Sequence, residues 1–566
     1  MSNILSINGT PLTTTEEVDQ SQGGYTALGT EGRKSVVFSH LHQNVFKLGP
    51  SELKEMGLKT VLGADWCDEH YREFDEKKEQ MVFNHRRLAT DIISACQRKG
   101  LYIQSTERRV GVWREDDGQL VVNSRELWRP TGTVIEHRIH EGRVYPASGD
   151  LGFDRHTEEA TDDDVQRVLG AFGAIQWRQA LGAELILGWL GIALLAGALP
   201  RRPHVMLAGA AGTGKSVILE TVKWLLGRMA FVCTGPQTLA AIFQSLGGNS
   251  RAVVMDEFEA DPKRRSSEDT LLAARLSYSM QEGDEGLVRG SVDGVAKSYN
   301  FQSAFIAAGV NPQLREPADI QRWVMLEATG RKADATRLTE VEAREIGPRL
   351  ARRFTSRWGV FQASMNTVRE CIIEAGGDGR MADTVGTLLA SYWAFVSTQP
   401  ATADDAKGLV EMLDIESRKA VHAASDEKRC LEALLSNVTP FRYMEGDAMV
   451  TRSLSVGEAV KRYCDNPSAN VELLGRLTQL GLRAVNVKGH WRMYIANSPE
   501  HRGLRRLFSG TKWAAGGWSL VLRRLPGGEE STQRLGAGFP SCKVTVFDVP
   551  AELLPDESEG EMPLAA

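Results

Sequence analysis

Residues Gly209, Ala210, Ala211, Gly212, Thr213, Gly214, Lys215 and Ser216 stand between an apolar run, His204–Ala208, and an amphipathic run, Val217–Leu226. Strand, glycine loop and helix in that order restrict the fold more than any other stretch of the chain. The three glycines let the backbone take positive φ and approach a bound group closely, while the helix that follows turns its free N–H groups and positive dipole end toward the same point. A phosphate fits that point. Lys215 then supplies a mobile cation for the outer phosphates of a nucleotide, and the Ser216 hydroxyl a ligand for Mg²⁺. These eight residues are the expected nucleotide-binding loop of an α/β P-loop core, with ATP and Mg²⁺ as its cofactors.

Hydrolysis needs a metal ligand and a group that activates water. Ala252–Met255 reads as a short buried strand that delivers Asp256 and Glu257 at its carboxyl end, 41 residues beyond Lys215. Asp256 is placed to hold Mg²⁺ through water, and Glu257 to orient or deprotonate the attacking water. A third apolar run, Ala304–Ala308, leads through Gly309 and Val310 to Asn311, an expected sensor of the γ-phosphate. Arg322, eleven residues on, is the expected arginine finger for a neighbouring subunit's nucleotide. The bland alternatives are an Asn-Pro turn for Asn311 and a surface salt bridge for Arg322.

The order of these features is itself informative: glycine loop, Asp256–Glu257 strand, a basic glycine-containing hairpin over Val288–Tyr299, a strand leading to Asn311, then Arg322. It resembles the superfamily 3 helicases and the related primase-helicase ATPases of phages and plasmids, most strongly over residues 200–330. The resemblance implies an AAA+-like fold, a homo-oligomeric ring that is usually hexameric, ATP held between subunits and 3′ to 5′ unwinding of DNA. It also implies that the hairpin enters the central channel, with Arg289 and Lys297 as the DNA backbone contacts. The hairpin lacks the family's Lys-His tip, and no primase centre is visible before it, so a separate primase or polymerase is expected. A competing reading is an ATP-gated regulator or assembly factor that binds DNA without unwinding it.

A chain of 566 residues is long for one core, and its patterning divides it. A flexible arm is expected at 1–30, an α+β domain at 31–155 and a helical lead-in at 156–200. The P-loop core covers 201–335, a helical region 336–440, a winged-helix-like domain 441–550 and an acidic tail 551–566. Within the lead-in, Thr161 followed by Asp162, Asp163 and Asp164 reads as a helix start. Leu181–Leu199 is almost wholly apolar and reads as a buried helix, with a membrane-associated ATPase as the competing reading.

The net charge of −6 advertises no nucleic-acid partner, so DNA contact has to come from local basic surface. One such stretch is Arg483–Arg524, with nine Lys or Arg side chains against Glu500 alone and with Trp491, Tyr494, Phe508, Trp513 and Trp518 interleaved. It suits phosphate contact plus base stacking, or else its aromatics form a small core. The seven cysteines are scattered without a CxxC pair, and the first fifteen residues are polar, which together point to a cytoplasmic protein. His40 with His42, Asp65–His70 and His137 with His140 collect metal-capable side chains but read as solvated or structural groups.

Overall fold

The computed structural model describes residues 24–554 apart from 78, 104–105, 148, 259–264, 282–286, 290–296, 300, 311, 313, 315, 334–336, 416–425, 447, 537 and 539. Most of the expected arm and tail lies outside the described residues. The chain divides into two units, residues 1–417 and 418–566.

The first unit is built on a mixed six-stranded sheet. Its strands are β1 (Ile175–Trp177), β2 (His204–Ala208), β3 (Ala230–Thr234), β4 (Ala252–Asp256), β5 (Phe305–Ala308) and β6 (Trp323–Arg331). They lie in the order β1-β6-β2-β5-β4-β3, all parallel except β1, which runs antiparallel to β6. Buried residues run almost unbroken through β2, β4 and β5, as parallel strands covered on both faces require. Because β2 sits between β5 and β6, the chain leaves it to one side and returns on the other. The carboxyl ends of β2 to β6 therefore share one edge, and the crevice at such a crossover is where open α/β sheets bind ligands.

Helices cover the sheet. Thr161 caps the helix Asp162–Gly173 in a reciprocal capping box with Asp164, as its sequence predicts. The apolar run forms α1 (Gly182–Leu194), thirteen residues of which only Glu184 is not buried, followed by a single 3-10 turn. No described helix is long and apolar enough to cross a membrane. After the glycine loop comes α2 (Lys215–Leu226), against which α3 (Glu340–Ser356) packs. The segment before residue 155 belongs to the same unit: Ser250 N–H donates to the Val110 carbonyl (2.8 Å), and Trp358 Nε1 to that of Gly118 (3.0 Å).

His204 opens β2 and is fully buried between the rings of Tyr278, Phe305 and Trp323. Its Nε2 lies 2.7 Å from the Ala274 carbonyl, and its Nδ1 is 3.2 Å from the N–H of Phe305. One proton on Nε2 satisfies both contacts, and burial pushes the imidazole pKa down to about 3. As pH falls below the ordinary histidine value, the unfolded chain takes up a proton that the folded chain refuses, so stability is lost toward acid. Between pH 6.5 and 4 this costs about 3 kcal/mol. In urea unfolding at pH 7 and pH 4, His204→Gln should lose less stability than the wild type; equal losses would remove His204 as the cause.

In the second unit the helices Val456–Asp465 and Val471–Gln479 precede an antiparallel pair, Leu482–Val487 and His490–Ala496. Helix, helix and hairpin stand as expected, but the hairpin is not a free wing. Ser541–Asp548 pairs along His490–Ala496, and Glu529–Arg534 pairs along Ser541–Asp548, making a four-stranded sheet.

The basic stretch is correspondingly less available than its sequence suggests. Phe508 and Trp518 stack at 5.2 Å inside the core, and Trp513 is buried beside them. Four of the nine cations are taken by carboxylates: Arg492 by Glu529 and Asp548, Arg505 by Glu500, Lys512 by Asp426 and Arg523 by Glu530. Arg483 donates to the Arg534 carbonyl at 2.7 Å.

Candidate functional site

The glycine loop leaves β2 at Gly209 and enters α2 at Lys215, and its three glycines are needed for different reasons. Gly209 (φ 140°) runs so close to β6 that a Cβ would lie 2.3 Å from the Ala328 carbonyl oxygen. Gly212 (φ 81°) has open space around it and needs only the left-handed backbone. Gly214 (φ 102°) needs both, since a Cβ there would meet Ile175 Cδ1 at 2.4 Å and Arg331 Nε at 2.7 Å. Thr213 Oγ1 ties the loop to itself by donating to the Ala210 carbonyl at 2.9 Å.

The Lys215 ammonium reaches back along the loop and donates to the carbonyls of Gly209 (2.6 Å) and Ala210 (2.8 Å). Ser216, in the first turn of α2, is exposed. Both residues line a cavity of about 760 Å³ at the carboxyl edge of the sheet, together with Ala211, Gly212 and Gly214. The neighbouring strand ends supply the other walls: Thr234 to Pro236 after β3, Asp256 and Glu257 at β4, Ala308 to Val310 at β5 and Arg331 at β6.

Asp256 Oδ1 accepts the N–H of Glu257 at 2.9 Å, and its carbonyl accepts that of Gly235 at 2.8 Å. Glu257 is one of the few non-glycine residues with positive φ (55°) among the described residues, in a conformation that costs a side-chain-bearing residue about 1–2 kcal/mol. What holds it there is the next residue: Phe258 is fully buried and donates its N–H to the Ala308 carbonyl at 2.7 Å. An exposed carboxylate is thereby set on a rigid, strained corner of the cavity. Hydroxyl and carboxylate oxygens from Ser216 and Asp256 are hard ligands, the kind that suits Mg²⁺.

The remaining expected site residues fall elsewhere. Asn311 lies outside the described residues, although Gly309 and Val310 before it line the cavity. Arg322 precedes β6 and so stands at the amino edge of the sheet, away from the cavity. There its guanidinium packs 5.3 Å from the Tyr278 ring centre and donates to the Ala318 carbonyl, and its carbonyl accepts the His204 N–H at 3.0 Å. Burial and the neighbouring Arg380 lower its pKa. Arg289 and Lys297 pair with each other across the antiparallel strands Leu287–Arg289 and Lys297–Tyr299, far along the chain from the glycine loop.

Arg331 is a cavity residue that sequence reasoning missed. The signal was present in principle, since every parallel strand beside β2 delivers its last residue to this edge, but it required knowing that β6 is such a neighbour.

Of the histidine clusters, His140 joins Glu115 and Glu141 in the one described group of three metal-capable side chains. Glu115 already pairs with Arg129 at 2.7 Å and with His140 at 3.3 Å, which makes an ion-pair network the simpler account. All seven cysteines are free.

No family model and no curated protein matches the sequence. Among solved structures, the chain is similar to the apo structure of the NrS-1 C-terminal region, 11% identical, covering 92% of this chain and 95% of that one with a TM-score of 0.32. The A form of the same region gives 13% identity, 93% and 96% coverage and a TM-score of 0.31. A likeness this low carries no functional reading.

Proposed function

We propose that the cavity binds and hydrolyses ATP and that the chain is an ATP-dependent DNA helicase of a phage, prophage or plasmid replication system. One observation carries the first part: a single cavity gathers the glycine loop, Lys215, Ser216, Asp256 and Glu257 from separate strand ends. The loop N–H groups and the start of α2 bind the inner phosphates. Lys215 exchanges its two loop carbonyls for phosphate oxygens. Ser216 and Asp256 hold Mg²⁺, which when bound neutralises charge on the outer phosphates. Glu257 orients the attacking water and takes its proton.

The second part rests on the order of motifs and on the hairpin carrying Arg289 and Lys297. Arg322, at the amino edge of the sheet, has no path to its own cavity and would serve the nucleotide of a neighbouring copy in a ring. Pairing of Arg492, Arg505, Lys512 and Arg523 with carboxylates favours the motor over a regulator that reads DNA through the second unit.

Lys215→Ala should abolish ATP binding, as measured by isothermal titration, and with it phosphate release. Unimpaired hydrolysis by this variant would end the ATPase assignment. Strand displacement on forked DNA tests the motor: ATP hydrolysis without displacement would leave an ATPase that is not a helicase.

A further inference from the structure

Arg331 ends β6, and its backbone is held on both sides. It pairs with Ile175 of β1, and the N–H of the next residue, Lys332, donates to the Ala174 carbonyl at 2.9 Å. The side chain is exposed, lines the cavity and has no hydrogen-bond or ion-pair partner among the described residues. The acid on its own strand, Glu327, is taken by Arg178 at 2.8 Å. The guanidinium lies over Gly214, where the missing side chain makes room for it, because a Cβ would come within 2.7 Å of Nε and 3.3 Å of Cγ. A cation is thus laid against the backbone of the glycine loop with no anion among the described residues to answer it.

Strand order says which part of a nucleotide it would meet. β4, which carries Asp256 and Glu257, is two places from β2 on one side, and β6 is next to β2 on the other. With strands spaced about 4.8 Å apart, roughly 14 Å of sheet edge separates the two carboxylates from Arg331, with the glycine loop between them. A triphosphate lying across the loop with its outer end at Asp256 and Glu257 has its inner end on the Arg331 side.

We propose that Arg331 is the cavity's ligand for the α-phosphate, the one next to the nucleoside, and acts on the nucleotide held by its own subunit. The proposal rests on the nucleotide reading above. The two cations then have different roles, because Lys215 serves the outer phosphates while Arg331 fixes the end that ATP and ADP share. An arginine suits the inner position because its planar fork can bridge two phosphate oxygens.

The test is isothermal titration of the full chain, in Mg²⁺, with ATP and with ADP, comparing wild type, Lys215→Ala, Arg331→Ala and Arg331→Lys. Arg331→Ala should weaken ATP and ADP by the same factor, about tenfold, and leave the ratio of the two affinities unchanged, with Arg331→Lys recovering part of the loss. Thermal melting of Arg331→Ala should match the wild type, as befits an exposed side chain. A loss confined to ATP would overturn the proposal by putting Arg331 on the γ-phosphate. Unchanged affinity for both would overturn it while leaving the nucleotide site intact, provided Lys215→Ala still abolishes binding. A wild type that binds neither nucleotide would bring down the nucleotide reading and this inference together.

Discussion

Glu257→Gln is expected to bind ATP as the wild type does and to hydrolyse it about 100-fold or more slowly, the usual cost of losing a positioned general base. The substitution keeps the size and shape of the side chain. It also leaves in place what sets the corner: the buried Phe258 ring, its N–H on the Ala308 carbonyl and the Glu257 N–H on Asp256 Oδ1. What changes is the ability to accept a proton from water. Phosphate release and ATP affinity should therefore separate, with turnover lost and binding kept. On forked DNA the same variant should fail to displace a strand while remaining bound in ATP. Wild-type turnover would remove Glu257 from the mechanism and leave the cavity as a nucleotide sensor. Loss of ATP binding instead would mean that the carboxylate supports the corner rather than the chemistry.

The parts of this site that could be read from sequence are those whose meaning is local. Strand, glycine loop and helix follow one another without a gap, and the strand that ends in Asp256 and Glu257 is an apolar run ending in acids, so both are visible within a dozen residues. Arg331 is different. Its place depends on β6 lying beside β2 after a crossover, and nothing within Trp323–Arg331 states that neighbour. The basic stretch is less available than its sequence suggests for a related reason. Asp426, Glu529, Glu530 and Asp548, which pair with three of its nine cations, come from segments outside it, and three of the five aromatics that read as stacking platforms, Phe508, Trp513 and Trp518, are apolar content a small four-stranded sheet needs for a core. Composition within a window counts charge; it does not count the charge that folding brings to it.

Close contacts between distant helices are likewise hidden in sequence, and the most demanding of them predicts a large loss of stability. Gly347 lies in the middle of α3, where a Cβ would stand 1.9 Å from the carbonyl oxygen of Leu225 and 2.7 Å from its carbon. Both atoms are backbone of α2, so no side chain can turn aside. Gly347→Ala must drive the two helices apart and loosen the buried core to which Ile346 and Leu350 of α3 and Val222 and Leu226 of α2 all belong. Overpacking of this kind costs about 3 kcal/mol, against which the better helix propensity of alanine returns less than about 1 kcal/mol. Gly408→Ala is the control. It too is inside a helix, Ala403–Glu411, but nothing lies within 4 Å of its Cβ position, so it should be neutral or stabilise by about 0.5–1 kcal/mol. Urea unfolding followed by tryptophan fluorescence should order the proteins Gly408→Ala, wild type, Gly347→Ala. Because α2 begins at Lys215 and Ser216, the displacement also reaches the cavity, and ATP affinity should fall for Gly347→Ala but not for Gly408→Ala. A Gly347→Ala protein as stable as the wild type would mean that α2 and α3 can separate freely, and that the helix carrying Lys215 is not held in place by α3.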